Sequence, residues 1–146
     1  MNLVPNQKLT ALRWLWITCR GARAMPARTD FPVAVLRPWI GNLALIDLRD
    51  GGGAIFRVCG TELHQRFGGE FTKRDLAELD HAIGESLNRG IEAARLTHQP
   101  QELVHERVVH GRRIAFAELC LPLSEDEKVV STVLFASYVI KKESNR

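Results

Sequence analysis

LVHERVVHGRRIAFAELCLPLSEDEKVVSTVLFASYVI, residues 103–140, contains three runs of strand-forming composition. Leu103 to Val109, Arg112 to Leu123 and Val129 to Ile140 are rich in β-branched and aromatic residues, the types that fit a pleated, half-buried surface. His110-Gly111 and Ser124-Glu125-Asp126-Glu127 separate them as turns. Three strands in this order predict an antiparallel meander at the end of the chain.

Two further strands are predicted upstream. Leu43 to Leu48 is a short apolar run, and Ala54 to Cys59 alternates loosely around Phe56 and Val58. Asp50 followed by Gly51-Gly52-Gly53 is a turn signal, so the pair reads as a hairpin. Between hairpin and meander the pattern is helical. Leu63 to Phe67 forms one or two turns, ended by Gly68-Gly69. Thr72 stands three residues before Asp75, the spacing of a capping box, and a short helix from Lys73 to Leu79 is expected. Asp80 caps a longer helix with Ile83, Leu87, Ile91 and Ala94 along one stripe. Gly84 and Gly90 weaken that helix by about 1 kcal/mol each relative to alanine, so packing has to hold it. Strands grouped at both ends of a helical insert predict an α+β fold with helices on one face of an antiparallel sheet.

Ahead of the hairpin, residues 6–20 read as a helix. Leu9, Leu12, Trp16 and Cys19 share a face at three- and four-residue spacing, while Trp14 and Ile17 point elsewhere. A helix apolar on more than one side is buried twice or meets a partner. A dimer contact through Leu12, Trp14, Trp16 and Ile17 therefore stands beside docking on the chain's own domain. Gly21 closes this helix. The connector 25–42 holds Pro26, Pro32 and Pro38 and is anchored by Phe31, Leu36 and Trp39. The expected division is residues 1–24 as the N-terminal helix and 25–146 as the domain.

The totals narrow the function classes. A chain of 146 residues is about one domain long. Net charge is +3, with the two signs interspersed, and the nearest approach to a basic stripe is Arg13, Arg20, Arg23 and Arg28. Nucleic-acid binding is not expected from so weak a patch. Cys19, Cys59 and Cys120 form no C-x-x-C pair, which argues against a zinc ribbon or thioredoxin motif and fits a reducing compartment. Residues 9–19 are apolar, but Arg13 interrupts them and Arg20 and Arg23 crowd the small-residue site beyond, so they do not read as a signal peptide. No stretch approaches the length of a membrane helix. A cytoplasmic location is expected.

Four ordered blocks resemble a known family. They are Met25-Pro26-Ala27-Arg28-Thr29-Asp30-Phe31; Leu43 to Asp47; the strongest block, from Phe56-Arg57-Val58-Cys59-Gly60-Thr61 through Arg66-Phe67-Gly68 to Leu76 and Leu79; and Leu121-Pro122-Leu123-Ser124 with the strand after it. Together they resemble stand-alone bacterial PAS-domain proteins known chiefly from alphaproteobacteria. The chain departs at Lys73, where the family tends to have glycine. The resemblance implies a five-stranded antiparallel sheet curved around helices, a regulatory role and dimerisation through the N-terminal helix. It implies no particular cofactor, because such domains bind haem, flavin, small metabolites or nothing.

Few residues stand out as chemical. The five histidines show no paired metal-ligand spacing, and His64 and His81 are the two in the helical region where a haem ligand could sit. Residues 61–99 contain no cysteine for flavin photochemistry. Gly60-Thr61 reads as fold geometry. Glu118 lies in phase with Ile114, Phe116 and Cys120, either inward or on a partly exposed face. With no nucleophile motif or phosphate loop, catalysis is not expected, and no catalytic or metal residue is assigned. The reading is a sensory module for a small ligand or a signalling protein, with Phe56, Val58, Phe67, Ile83, Leu87, Ile91, Leu119 and Phe135 lining a pocket. A ligand-free scaffold with a filled core is the alternative.

Overall fold

In the computed structural model the described residues are 4–142. Helix α1 (Val4–Arg20) comes first, and Gly21 follows with φ +58. The proline-rich connector folds as a 3-10 turn (Arg28–Asp30), the single-turn helix α2 (Val33–Leu36) and a second 3-10 segment (Arg37–Asn42). Phe31, Leu36 and Trp39 are buried, as expected of its anchors. Strands β1 (Leu43–Leu48) and β2 (Ala54–Cys59) form the hairpin. Helix α3 (Thr61–Phe67), a 3-10 turn (Leu76–Glu78) and helix α4 (His81–Thr97) follow. Strands β3 (Gln101–Val109), β4 (Arg112–Leu123) and β5 (Thr132–Lys142) complete the chain.

All five strands join one antiparallel sheet in the order β2-β1-β5-β4-β3. The two hairpins thus meet through β1 and β5, the segments farthest apart in sequence. His110 and Gly111 turn between β3 and β4 with φ 52 and 75, the left-handed pair that matches the twist of a two-residue hairpin.

Strand pairing fixes which side chains share a face. Cys120 lies opposite Gln101 and Phe135, and Phe135 lies opposite Ala44. Helix α4 covers this inner face closely: a Cβ on Gly90 would stand 2.7 Å from Cys120 Sγ and 2.9 Å from a Leu103 methyl. Gly90, which weakens the helix locally, is what lets it approach the sheet. Leu119 lies opposite Glu102 and Ala136, on the outer face. There α1 crosses β4 and β5, with Arg13 paired to Glu102 at 3.1 Å and Trp16 Nε1 donating to the Pro122 carbonyl at 2.8 Å.

Three sequence expectations need correction. Leu12 and Trp16 are fully buried within the chain, so they are not free to form a dimer contact. Segment 73–79 forms only the 3-10 turn, and its capping box joins Asp75 and Glu78 rather than Thr72 and Asp75. The reason lies at Lys73. Its φ is +70, and its N–H bonds the Phe56 carbonyl at 2.6 Å, so the segment is drawn out along the edge of β2. Lysine there holds the left-handed backbone that a glycine takes without strain.

Gly60 serves backbone geometry, by close approach rather than by φ, which is −68. A Cβ there would lie 2.3 Å from the Gly41 carbonyl oxygen and 2.4 Å from that of Ile40.

Candidate functional site

Strands β4 and β5 run on past the short hairpin. Strand β1 begins at Leu43 opposite Ala136, so β5 loses its β1 neighbour there. The Ser137 carbonyl beyond that point accepts from Asn42 Nδ2 at 3.0 Å and from an Arg66 guanidinium nitrogen. Arg66, on α3, is in this way drawn across the inner face.

Glu118 sits beneath it, 6% exposed, between the buried Phe116 and Cys120. The face is therefore inward and closed, not partly exposed. His105 Nε2 is 2.9 Å from Glu118 Oε1, and Ser137 Oγ donates to Oε2 at 2.8 Å. A buried carboxyl needs such partners, since an unpaired one costs several kcal/mol. The Phe116 ring is surrounded by cationic or polar groups. His105 stacks on it at 5.6 Å between centroids, and the Arg66 and Arg107 guanidinium carbons stand 5.5 Å and 4.5 Å from its centre.

The two arginines are the unusual members. Burial pulls both guanidiniums below the ordinary arginine value, against the opposing attraction of Glu118. Glu62 acts with Glu118 on Arg66, and Asp80, the N-cap of α4, acts with it on Arg107. Neither guanidinium pairs with a carboxylate among the described residues, because His105 and Ser137 occupy the Glu118 oxygens. Arg107 Nε is buried with no hydrogen-bond partner among the described residues. Each guanidinium carries five N–H donors in a fork suited to carboxylate or phosphate oxygens. The arrangement can bind an anion beside the Phe116 ring, between Arg66 on α3 and Arg107 on β3.

The eight residues expected to line a pocket divide. Phe56, Phe67, Leu87, Ile91 and Phe135 are buried, and the Phe56, Phe67 and Phe71 rings pack at 5.5–6.0 Å. Side chains around an enclosed void keep accessible surface; Phe56, Leu87 and Phe135 keep at most 2%, so the interior is filled there. Ile83 is half-buried on α4. Leu119 is on the outer face, and so is Val58, which pairs with Leu45 beside a bulge at Leu45/Ile46. These two line nothing on the inner side. Trp14 is 62% exposed on α1, and Ile17 is half-buried.

Sequence reasoning noticed Glu118 but missed Arg66, His105 and Arg107. A signal existed in β3, where His105 and Arg107 alternate with Val104 and Val108. The valines are 70% and 71% exposed; the polar residues are the ones turned inward.

A separate open cleft of about 840 Å³ lies at the opposite end of the sheet. It runs between the Gly51–Gly53 turn, the second half of α4 and the β4–β5 connection, with Arg49, Glu92, Arg95 and Lys128 on its walls. Of the eight expected pocket residues, Ile91 alone reaches it.

No described helix is long and apolar enough to cross a membrane. No curated protein matches the sequence. Among solved structures, the PAS domain of Bordetella pertussis BvgS is similar with a TM-score of 0.58 at 13% identity, over 78% of this chain and 87% of that one. A light-oxygen-voltage domain studied with a flavin analogue is similar with a TM-score of 0.50 at 15% identity, over 75% and 84%. These likenesses concern the fold. The family of PAS domains matches residues 4–136. With its five strands in one antiparallel layer and that match over most of its length, the chain belongs to the PAS domain family.

Proposed function

We propose that this protein is a non-catalytic sensory module whose signal is a small carboxylate bound on the inner face by Arg66, Arg107 and His105. One observation carries the reading: two half-buried guanidiniums converge on Phe116 with no carboxylate partner among the described residues, where one buried Nε also has no acceptor. A buried donor without a partner is costly, and a bound carboxylate would satisfy it. A ligand shifts a conformational equilibrium only through its different affinity for the two states. Arg66 ties α3 to β5 at Ser137, so an anion that recruits Arg66 would change the hold of α3 on the sheet.

Calorimetric titration with succinate, malonate and citrate tests this. Binding to one site is expected, weakened about tenfold or more in Arg107→Ala, the size of losing a charge-assisted hydrogen bond. Absence of binding by all three acids, or equal affinity in the variant, would refute the reading.

The same reading has the protein acting in the cytoplasm of a bacterium as a homodimer, through Trp14 and Ile17 on α1. Sedimentation of Trp14→Ala/Ile17→Ala is then expected to show monomer. The filled interior around Phe56, Leu87 and Phe135 supports a second reading, a scaffold that binds no ligand and signals through a partner protein.

A further inference from the structure

The end of β2, helix α3 and the turn after it bring together three side chains far from the arginine pair in chemistry. Cys59 is the last residue of β2, and Gly60, the N-cap of α3, follows it immediately. His64 lies in the last turn of α3. The left-handed Gly68 (φ 82) and Gly69 (φ 154) fold the chain back so that Glu70 faces His64. Cys59 Sγ, an imidazole nitrogen of His64 and a carboxylate oxygen of Glu70 all lie within 4.8 Å of one another.

We propose that Cys59, His64 and Glu70 form a binding site for one zinc-class divalent cation, with a fourth position open to water. Thiolate, imidazole and carboxylate are the ligand types zinc takes, and three protein ligands with one open position is an established arrangement for it. Around a tetrahedral ion at metal–ligand distances of roughly 2.0–2.3 Å, the ligand atoms stand about 3.4 Å apart. His64 Nε2 and Glu70 Oε2 are already 3.1 Å apart. The remaining ligand-atom spacings are within 4.8 Å and shorten to about 3.4 Å on binding.

The surroundings orient each ligand. Thr72 donates twice to Glu70 Oε1, through its N–H at 2.8 Å and its hydroxyl at 2.6 Å, which leaves Oε2 turned to His64. Hydrogen bonds of this kind fix ligand orientation in metal sites. Burial and the Glu70 carboxylate push the Cys59 thiol up to about 11, with the Phe71 N–H opposing, so a bound ion has to displace the thiol proton. His64 Nε2 also lies 3.2 Å from the Cys59 carbonyl. On binding, Cys59 releases its thiol proton to solvent and the neutral imidazole carries its proton on Nδ1, freeing Nε2 for the ion. Glu70 is exposed, so an ion enters from its side. The site would clamp β2 to the far end of α3, and it stands or falls independently of carboxylate binding.

Cobalt(II) titration of the intact protein, followed by absorption, tests the site. One equivalent is expected to bind with a thiolate-to-cobalt charge-transfer band in the near ultraviolet, and zinc is expected to displace it. Cys59→Ser is expected to abolish the band, while Cys19→Ser keeps it. Glu70→Gln, at an exposed position that folding does not depend on, is expected to weaken cobalt binding about tenfold or more. A wild-type protein without the band, a band that survives Cys59→Ser, or unchanged affinity in Glu70→Gln would each overturn the proposal. Circular dichroism of Cys59→Ser matching the wild type makes loss of its band a loss of ligand.

Discussion

The two faces of β4 differ more than its even apolar sequence implies. On the outer face Ala115, Ala117, Leu119 and Leu121 are buried, with α1 laid across the strand and its tryptophan nitrogen bonded to a sheet carbonyl. On the inner face Phe116, Glu118 and Cys120 are just as buried, yet Glu118 bonds His105 and Ser137, and the Phe116 ring meets His105, Arg66 and Arg107. One face is apolar packing with a single buried tryptophan hydrogen bond and an exposed ion pair. The other spends burial on a carboxyl, an imidazole and two guanidiniums, which no core needs for stability. Polar groups held in a closed site at that expense mark the face where a ligand would act.

The largest expected effect falls on the outer face. Trp16→Ala removes a fully buried side chain and leaves the Pro122 carbonyl without its donor. A loss of about 3–5 kcal/mol is expected from urea denaturation, with carboxylate affinity little changed in the folded fraction. A comparable loss of affinity would break the division between the faces. Glu118→Ala strikes the inner face. It leaves His105 and Ser137 without their acceptor and is expected to cost about 1–3 kcal/mol. It also frees both guanidiniums from their nearest carboxyl, so carboxylate affinity is expected to rise rather than fall.

Lys73→Gly belongs to neither face. It relieves a left-handed lysine at the β2 edge and is expected to stabilise the protein by about 1 kcal/mol. An unchanged melting temperature would show that the lysine is unstrained there. The smallest effect is alkaline. Burial pushes the Tyr138 hydroxyl up from 10.0 to about 12, with Arg66 opposing. A group raised on folding stabilises fully below its unfolded value and loses that contribution as pH climbs through the folded one. The wild type is therefore expected to lose stability between pH 10 and 12 relative to Tyr138→Phe. Parallel melting curves for the two across that window would contradict the assignment.

Much of this architecture was legible in the residues. The five strands, α1, α4 with its Asp80 cap, and the buried anchors Phe31, Leu36 and Trp39 follow from local pattern. The family resemblance implies one five-stranded sheet but no strand order; the β1–β5 pairing that closes it is visible only in the structure, because nothing local links segments so distant. Face assignment failed where alternation alone could not settle it. Val58 is turned outward by a bulge at Leu45/Ile46, and Leu119 and Phe135 were placed together although their register puts them on opposite faces. The arginine cluster was illegible for another reason. Arg66 and Arg107 are 41 positions apart in the chain, and a charged residue on a short helix or a strand ordinarily faces water.

Amide chemical-shift mapping during a succinate titration tests the inner-face assignment most directly. The largest shifts are expected at Arg66, His105, Arg107, Glu118 and Ser137, with α1 and the Gly51–Gly53 turn unmoved. Shifts centred instead on Gly51–Gly53, Arg95 and Lys128, in the open cleft at the other end of the sheet, would contradict it.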